Sequence, residues 1–214
     1  MADKLVLFLQ EIIKNDKLLV LIISAFPLIE LKGAIPIGTK AGIDLWQSAL
    51  LGYFGSTLVT IPLFFLLIPV FNLLKKIKFL KKLILKIENV FYNKALKLAE
   101  DANKKRGGDA LTEEQSQLLA KRVLRNALLA FVAVPFPVTG VWTGTAIAVF
   151  LNLDFKTAFP AILIGNLIAG TIITLLTFFF SAYVDLIIYC LLAIAIIMLI
   201  VLIIKIALSK PKQE

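Results

Sequence analysis

Two opposite charges interrupt the apolar sequence near the start of the chain. Glu30 and Lys32 lie in FPLIELKGAIP, residues 26–36, between Pro27 and Pro36. A carboxylate at membrane depth is costly unless it is paired or protonated, so it commonly marks an ion or substrate path. Such a group can load and release a proton as a cavity opens to alternate sides. Glu30 is therefore a candidate coupling residue, and the alternative is a Glu30–Lys32 pair that only holds the break together.

The positive charge of Lys32 has two possible roles. Lys32 either attracts an anionic headgroup or extends toward water as a topology anchor. Gly33 and Pro36 complete this first motif, because Gly and Pro break a regular helix and expose its backbone.

A second motif, PFPVTGVWTG, occupies residues 135–144. Backbone amides at the start of a half-helix lie at the positive end of its dipole, which suits a phosphate or carboxylate. The alternative is that Pro and Gly merely turn the chain, and packing is favoured over ligand stacking for the tryptophan. The candidate residues here are Pro135, Pro137, Thr139, Gly140, Trp142, Thr143 and Gly144, with Asn166 from the following helix.

The composition predicts an all-α integral membrane protein. Hydrophobic residues make up 60% of the 214 residues, and the mean hydropathy is +0.94. A helix needs about 20 apolar residues to cross a hydrocarbon core of about 30 Å, and Leu45 to Leu74 and Leu186 to Leu208 are long enough. Neither alternates apolar and polar residues as barrel strands do.

Several classes of chemistry are excluded by residue content. The chain has no histidine and one cysteine, Cys190, so the Ser-His-Asp triad, the usual zinc sites and an internal disulfide are ruled out. It also lacks a Gly-rich nucleotide loop and a compact acidic cluster. We therefore expect no catalytic residue, metal or cofactor, and no enzymatic activity.

The order of segments predicts six regions. They are an interfacial amphipathic helix (1–17), a first re-entrant hairpin with its transmembrane helix (18–74), a basic amphipathic segment (75–125), a second hairpin and transmembrane helix (126–182), a final transmembrane helix (183–208) and a tail (209–214). Within the second hairpin, residues 126–134 and 142–151 are expected to form two half-helices. Gln47, three positions after Asp44, predicts a capping box at the start of the first long helix, and residues 112–115 predict the capped start of another helix.

The two hairpin regions form an internal repeat. A shift of 110 positions superposes a short apolar arm, a proline break, a second short arm, an Asp and a long span. Asp44 and Asp154 fall at equivalent places, where helix capping is favoured over a carboxylate pair. The identical pairs are Phe26 and Phe136, Pro27 and Pro137, Ile37 and Ile147, Asp44 and Asp154, and Gly55 and Gly165.

The distribution of charge along the chain predicts its orientation in the membrane. Residues 75–125 hold 14 of the 23 Lys and Arg residues, which places this segment in the cytoplasm of an inner (plasma) membrane protein, beside anionic lipid heads. This segment shows no pattern of aromatic residues between basic ones that would favour binding to nucleic acid. If both long helices meet this side, the repeats are inverted, as in secondary transporters. The lysines of the tail agree with a cytoplasmic C-terminus, whereas the lysines of residues 1–20 fit this orientation poorly.

The two motifs, Glu30 to Pro36 and Pro135 to Gly144, resemble those of the small multidrug export protein family, which is related to the DedA (SNARE-associated, VTT) membrane proteins. The resemblance covers most of residues 18–185 and implies a transporter with two opposed re-entrant hairpins. DedA-type proteins are associated with moving lipid carriers across the membrane. Lys32 stands where the family pattern has Arg, and Val138 stands where it has Gly.

These observations predict a small secondary transporter, proton- or ion-coupled, for an amphipathic or anionic lipid-like substrate. A passive pore or scramblase-like protein, or a non-transporting assembly protein whose midplane is dry and fully packed, are the alternatives. Membrane lipids, the substrate and a second copy of the chain are the partners that this interpretation allows.

Overall fold

The computed structural model describes residues 2–27, 29–105, 107–108 and 111–208. Throughout this part of the chain the regular structure is helical. The helices are α1 (Ala2–Ile12), α2 (Asp16–Ser24), α3 (Glu30–Lys40), α4 (Leu45–Leu74), α5 (Lys78–Lys105), α6 (Glu113–Ala133), α7 (Val141–Phe150), α8 (Phe155–Phe179) and α9 (Val184–Leu208), with a 3₁₀ turn at Ser181–Tyr183. The predicted tail 209–214 lies outside the described residues.

Within the part of the chain that the structure describes, three helices are long and apolar enough to cross a membrane. They are Leu45–Leu74, Phe155–Phe179 and the stretch Ser181–Val201. The first has the bounds expected from the sequence. The chain is therefore a multi-pass helical membrane protein, as its composition predicts.

The helices α2, α3 and α7 are too short to cross a membrane, and α3 carries the charged residues Glu30, Lys32 and Lys40. α2 has nine residues, α3 eleven and α7 ten. At 1.5 Å per residue they extend about 14 to 17 Å, roughly half of the hydrocarbon thickness. α2 packs against α3, and α6 packs against α7. The break predicted between residues 134 and 142 is present, because α6 ends at Ala133 and α7 begins at Val141.

Two predicted helix boundaries are wrong. Residues 126–134 do not form a separate half-helix but the end of α6, which starts at the predicted cap, Thr112, and contains no helix-breaking residue. Thr112 and Gln115 form a capping box there. The single helix expected over residues 3–17 ends at Ile12. The Asn15 side chain then accepts hydrogen bonds from the backbone N–H groups of Lys17 and Leu18 and starts α2, as an N-cap residue does.

The ends of α3 and α7 have the same hydrogen bonds at the repeat offset. The N–H of Ala41 donates to the carbonyl of Ile37, and that of Leu151 donates to Ile147, both at 2.9 Å. A left-handed residue follows in each, Gly42 at φ +93° and Asn152 at φ +53°. One residue later, Ile43 donates to Gly38, and Leu153 donates to Ala148.

Both aspartates that follow are helix caps. Asp44 Oδ1 accepts from the backbone N–H of Gln47 at 3.2 Å, and Asp154 Oδ2 accepts from that of Thr157 at 3.0 Å. Burial opposes the ionisation of Asp154, but hydrogen bonds from the Thr157 side chain and backbone outweigh it and lower the pKa of this carboxyl. Capping therefore accounts for both residues.

The chain forms two compact units. Unit 1 comprises residues 1–56, 135–138 and 169–214, and unit 2 comprises residues 57–134 and 139–168. In unit 1, α3 packs between apolar residues of its neighbours: Leu31 and Ile35 contact Ile173, while Ala34 and Ile37 belong to a cluster with Val20. Lys40 forms an ion pair with Asp185 near the start of α9.

Within unit 2, α4 and α8 run antiparallel. Asn166 Nδ2 donates to Thr57 Oγ1 at 3.1 Å, and nearer the other end the ring centroids of Phe64 and Phe155 are 5.2 Å apart. The residue number rises along one helix as it falls along the other. The end of α4 and the start of α8 therefore lie together.

Glycine permits the close approach of α6 and α8. A Cβ on Gly165 would lie 2.7 Å from the carbonyl oxygen of Leu129 and 2.9 Å from Val132 Cβ. At Gly55, its repeat equivalent, a Cβ would lie closer still to Leu21 and Ser24. These contacts bring α6 against α8 and α2 against α4.

We predict that Gly165→Ala lowers the apparent melting temperature in detergent, because overpacking typically costs about 1–3 kcal/mol. Gly170→Ala is the matched control in α8, since its Cβ would meet Leu31 at an ordinary 3.5 Å. It should be neutral or slightly stabilising. Equal melting temperatures for the two variants would contradict the close approach.

Candidate functional site

The first candidate site is a buried ion pair in α3. Lys32 Nζ lies 3.3 Å from Glu30 Oε2, and each residue is only 2% exposed. Residues two positions apart do not face each other on a regular helix. Glu30, the first residue of α3, has φ +48°, so the backbone departs from helical geometry at the residue that carries the carboxylate.

Apolar side chains surround this part of α3. Leu31, Ala34, Ile35 and Ile37 are each at most 1% exposed. Removing an ion from water costs several kcal/mol even in real proteins, and an attractive partner repays this only with good geometry. The pair is therefore a costly arrangement, in which each charge depends on the other.

Gly33 and Pro36 shape the helix around the pair. A Cβ on Gly33 would lie 2.6 Å from Ile29 Cγ2, so glycine allows the preceding turn to approach. Pro36 lies inside α3 and has no N–H to donate to the carbonyl of Lys32. The backbone next to the ion pair is consequently less saturated with helical hydrogen bonds than an ordinary helix.

A small cavity in unit 1 brings residues of both motifs together. Lys32 and Gly33 line it with Pro137, and the remaining wall is apolar, formed by Ile29, Ile37, Ile188, Leu191 and Leu192. The cavity has a volume of about 20 Å³. That is room for about one water molecule and far less than a drug-sized ligand needs.

The second motif makes a strained turn before α7. Val138 has φ +73°, a left-handed conformation that is unfavourable for a β-branched residue. The Thr139 hydroxyl donates to the carbonyl of Val134 at 2.8 Å and closes the turn. Gly140 is the N-cap of α7, with extended backbone and no side chain to cap it.

Most of the other predicted site residues lie in unit 2. Trp142 packs against the hydrophobic core of that unit, in agreement with the favoured packing role. A Cβ on Gly144 would meet Val132 Cγ2 at 2.5 Å, and Asn166 is fully buried and bonded to Thr57. Pro135 belongs to unit 1 and Thr143 is half-buried at the start of α7. The meeting of both motifs around one substrate stays a prediction.

One feature of unit 2 was not predicted from the sequence. A cavity of about 410 Å³ lies between the end of α4 and the start of α8, with Lys75 and Lys121 at its polar side. No local pattern indicates it, because its residues come from three distant stretches of sequence. Among the described residues, no group of three or more His, Cys, Asp or Glu residues is placed to hold a metal ion.

The comparison with protein families agrees with this architecture. The family model described as "Putative small multi-drug export protein" matches residues 30–172, which include both motifs, α4 and most of α8. The chain belongs to this family. The name of the export family suggests a membrane transporter. No curated protein and no solved structure matches the chain.

A double-mutant cycle tests the ion pair in this exporter-family protein. Glu30→Gln and Lys32→Met should each lower the free energy of unfolding by about 3–5 kcal/mol, because either change leaves a buried charge uncompensated. The double variant should lose less than the sum of the two. Thermal unfolding in detergent measures this, and additive losses would show that the two side chains do not interact.

Replacing the strained valine tests the turn. A left-handed backbone costs a non-glycine residue about 1–2 kcal/mol, so Val138→Gly should raise the apparent melting temperature even after glycine's greater freedom in the unfolded chain is subtracted. Val138→Ala retains the Cβ and should not produce this gain. A Val138→Gly protein that melts below the alanine variant would contradict the left-handed conformation.

Proposed function

We propose that this protein is a small secondary transporter that exports an amphipathic or anionic lipid-like substrate and couples its movement to a proton or another ion. The observation that carries the proposal is the buried Glu30–Lys32 pair in a helix too short to cross the membrane. Charged residues at membrane depth usually serve a substrate or ion path. The family name supports export, and the proposal assigns no enzymatic step to the chain.

The proposed architecture is an inverted repeat of two re-entrant hairpins. It is supported by the short helices α2, α3 and α7, by the matching hydrogen bonds after α3 and α7, and by the antiparallel course of α4 and α8 in unit 2. Opposed repeats provide two similar half-sites that face opposite sides of the membrane. Alternating access then requires only that one half-site opens while the other closes.

The proposed orientation places residues 75–125 and the C-terminus in the cytoplasm of a plasma (inner) membrane. The basic charge of the segment supports this assignment. So does the common end of α4 and α8 in unit 2, because the chain that leaves the end of α4 must return to the same side before α8 begins.

We propose that the transport cycle begins at the cavity beside Lys32. It holds about one water molecule, so the pair is closed off within unit 1, and a substrate can reach it only after that unit opens. Protonation of Glu30 would remove one of the two charges and weaken their attraction. Proton binding is therefore proposed to favour opening.

Transport by purified protein in proteoliposomes tests the proposal. Three fluorescent amphiphiles of similar size, one anionic, one neutral and one cationic, are the probes, and flux is measured with and without a pH gradient. Glu30→Gln should abolish the flux that depends on the gradient, whereas Glu114→Gln, which alters an exposed carboxylate of α6, should leave it unchanged.

The Glu30→Gln/Lys32→Met double variant separates coupling from folding. It removes both charges and is expected to be more stable than either single variant, yet it should also lack coupled flux. Unchanged gradient-dependent transport in this folded variant would overturn the role of Glu30. Flux that never responds to the gradient, even in the wild type, would favour a passive pore.

A further inference from the structure

The cavity of unit 2 has the size and the lining of a small-molecule site. Its 410 Å³ falls within the range of about 300–1,000 Å³ that is typical of ligand pockets. It is separate in sequence from Glu30 and Lys32 and contains none of the twelve residues predicted for the transport site. Its occupant therefore has to be argued from its own walls.

One side of the cavity is apolar and largely aromatic. Phe155 lies 5.2 Å from both Phe64 and Phe65 between ring centroids, and it stacks on Phe159 at 5.0 Å. These contacts fix the rings of the wall in place without a ligand. Ile68, Phe71, Val149 and Leu153 extend the same surface, which suits a hydrocarbon chain or a flat apolar group.

The other side is polar and carries two lysines. Lys75 Nζ lies 2.8 Å from Glu88 Oε1 and 3.4 Å from Asn152 Oδ1, so its position is fixed, and Lys121 is exposed on α6. The Asp154 carboxylate also lines the cavity, but it accepts hydrogen bonds from the backbone and hydroxyl of Thr157. Asn72 adds an amide donor.

The position of the cavity matches this division. It is formed where α4 ends and α8 begins. Most of its apolar wall belongs to these two membrane-spanning helices, and its two lysines belong to the adjoining basic segment. An amphiphile aligned with membrane lipids has the same order, with its chain along the helices and its headgroup beyond their ends. Lysine at this level adds electrostatic attraction for anionic heads.

We propose that this cavity binds an amphiphile with an anionic, phosphate-type headgroup, placing the headgroup between Lys75 and Lys121 and the apolar chain against Phe64, Phe65 and Phe155. The shared chemistry is found in anionic phospholipids and in soluble alkyl phosphates. The proposal does not depend on transport, since binding alone satisfies it.

Binding to purified protein in a neutral maltoside detergent tests this inference. The probes are phosphatidylglycerol, phosphatidylcholine, dodecyl phosphate and inorganic phosphate, and native mass spectrometry counts the bound molecules over a concentration series. Lys75→Gln/Lys121→Gln should weaken the binding of phosphatidylglycerol, dodecyl phosphate or both by about tenfold or more, because charge-assisted hydrogen bonds are lost. Lys82→Gln/Lys86→Gln removes the same charge from exposed positions on α5 and should have little effect.

The apolar wall is tested with Phe65→Ala, at a ring that is 54% exposed, so the fold should tolerate the change. It should weaken dodecyl phosphate binding several-fold. A loss confined to phosphatidylglycerol identifies a membrane lipid as the source, and a loss for both probes supports the shared amphiphile chemistry. Unchanged binding by the lysine variant, an equal loss in the control, or displacement of dodecyl phosphate by equimolar inorganic phosphate would overturn the proposal.

Discussion

The attraction between Glu30 and Lys32 is the interaction on which the proposed mechanism depends. Either charge alone in these apolar surroundings would cost several kcal/mol, and the two are 3.3 Å apart. The structure places them at the start of a short helix, where the backbone is already irregular, rather than within a long span. A change in the protonation of one partner therefore acts directly on the packing of a half-helix, and this is what makes the pair suited to coupling.

The repeat explains why the chain uses the same local chemistry twice. α3 and α7 each end in a left-handed residue, and an aspartate two positions later caps the long helix that follows. Glycine at the equivalent positions 55 and 165 lets α2 and α6, respectively, approach that long helix closely. The two copies of this helix end, together with the antiparallel course of α4 and α8 in unit 2, support the proposed inverted repeat. The additional helix α9 packs against α3.

Features that depend on local chemistry could be predicted from the sequence. The bounds of α4, the break before α7 and the helix caps at Asp44, Thr112 and Asp154 follow from composition and short-range hydrogen bonding. The start of α2 at Asn15 was missed because the apolar pattern crosses it, and the continuity of α6 was missed because a change in polarity at residue 126 does not end a helix. The left-handed backbone of Glu30 and the cavity lined by Phe64 and Phe155 depend on tertiary packing, for which the sequence holds no short-range signal.

Access to the ion pair from each side of the membrane tests the mechanism most directly. Ile29 lines the cavity beside Lys32, so a cysteine at position 29, in a chain with Cys190→Ala, can be labelled with a membrane-impermeant thiol reagent in oriented vesicles. Coupled transport predicts slow labelling that switches from one side to the other when the pH gradient is reversed. Rapid labelling from one side only, whatever the gradient, would contradict a buried pair that opens alternately.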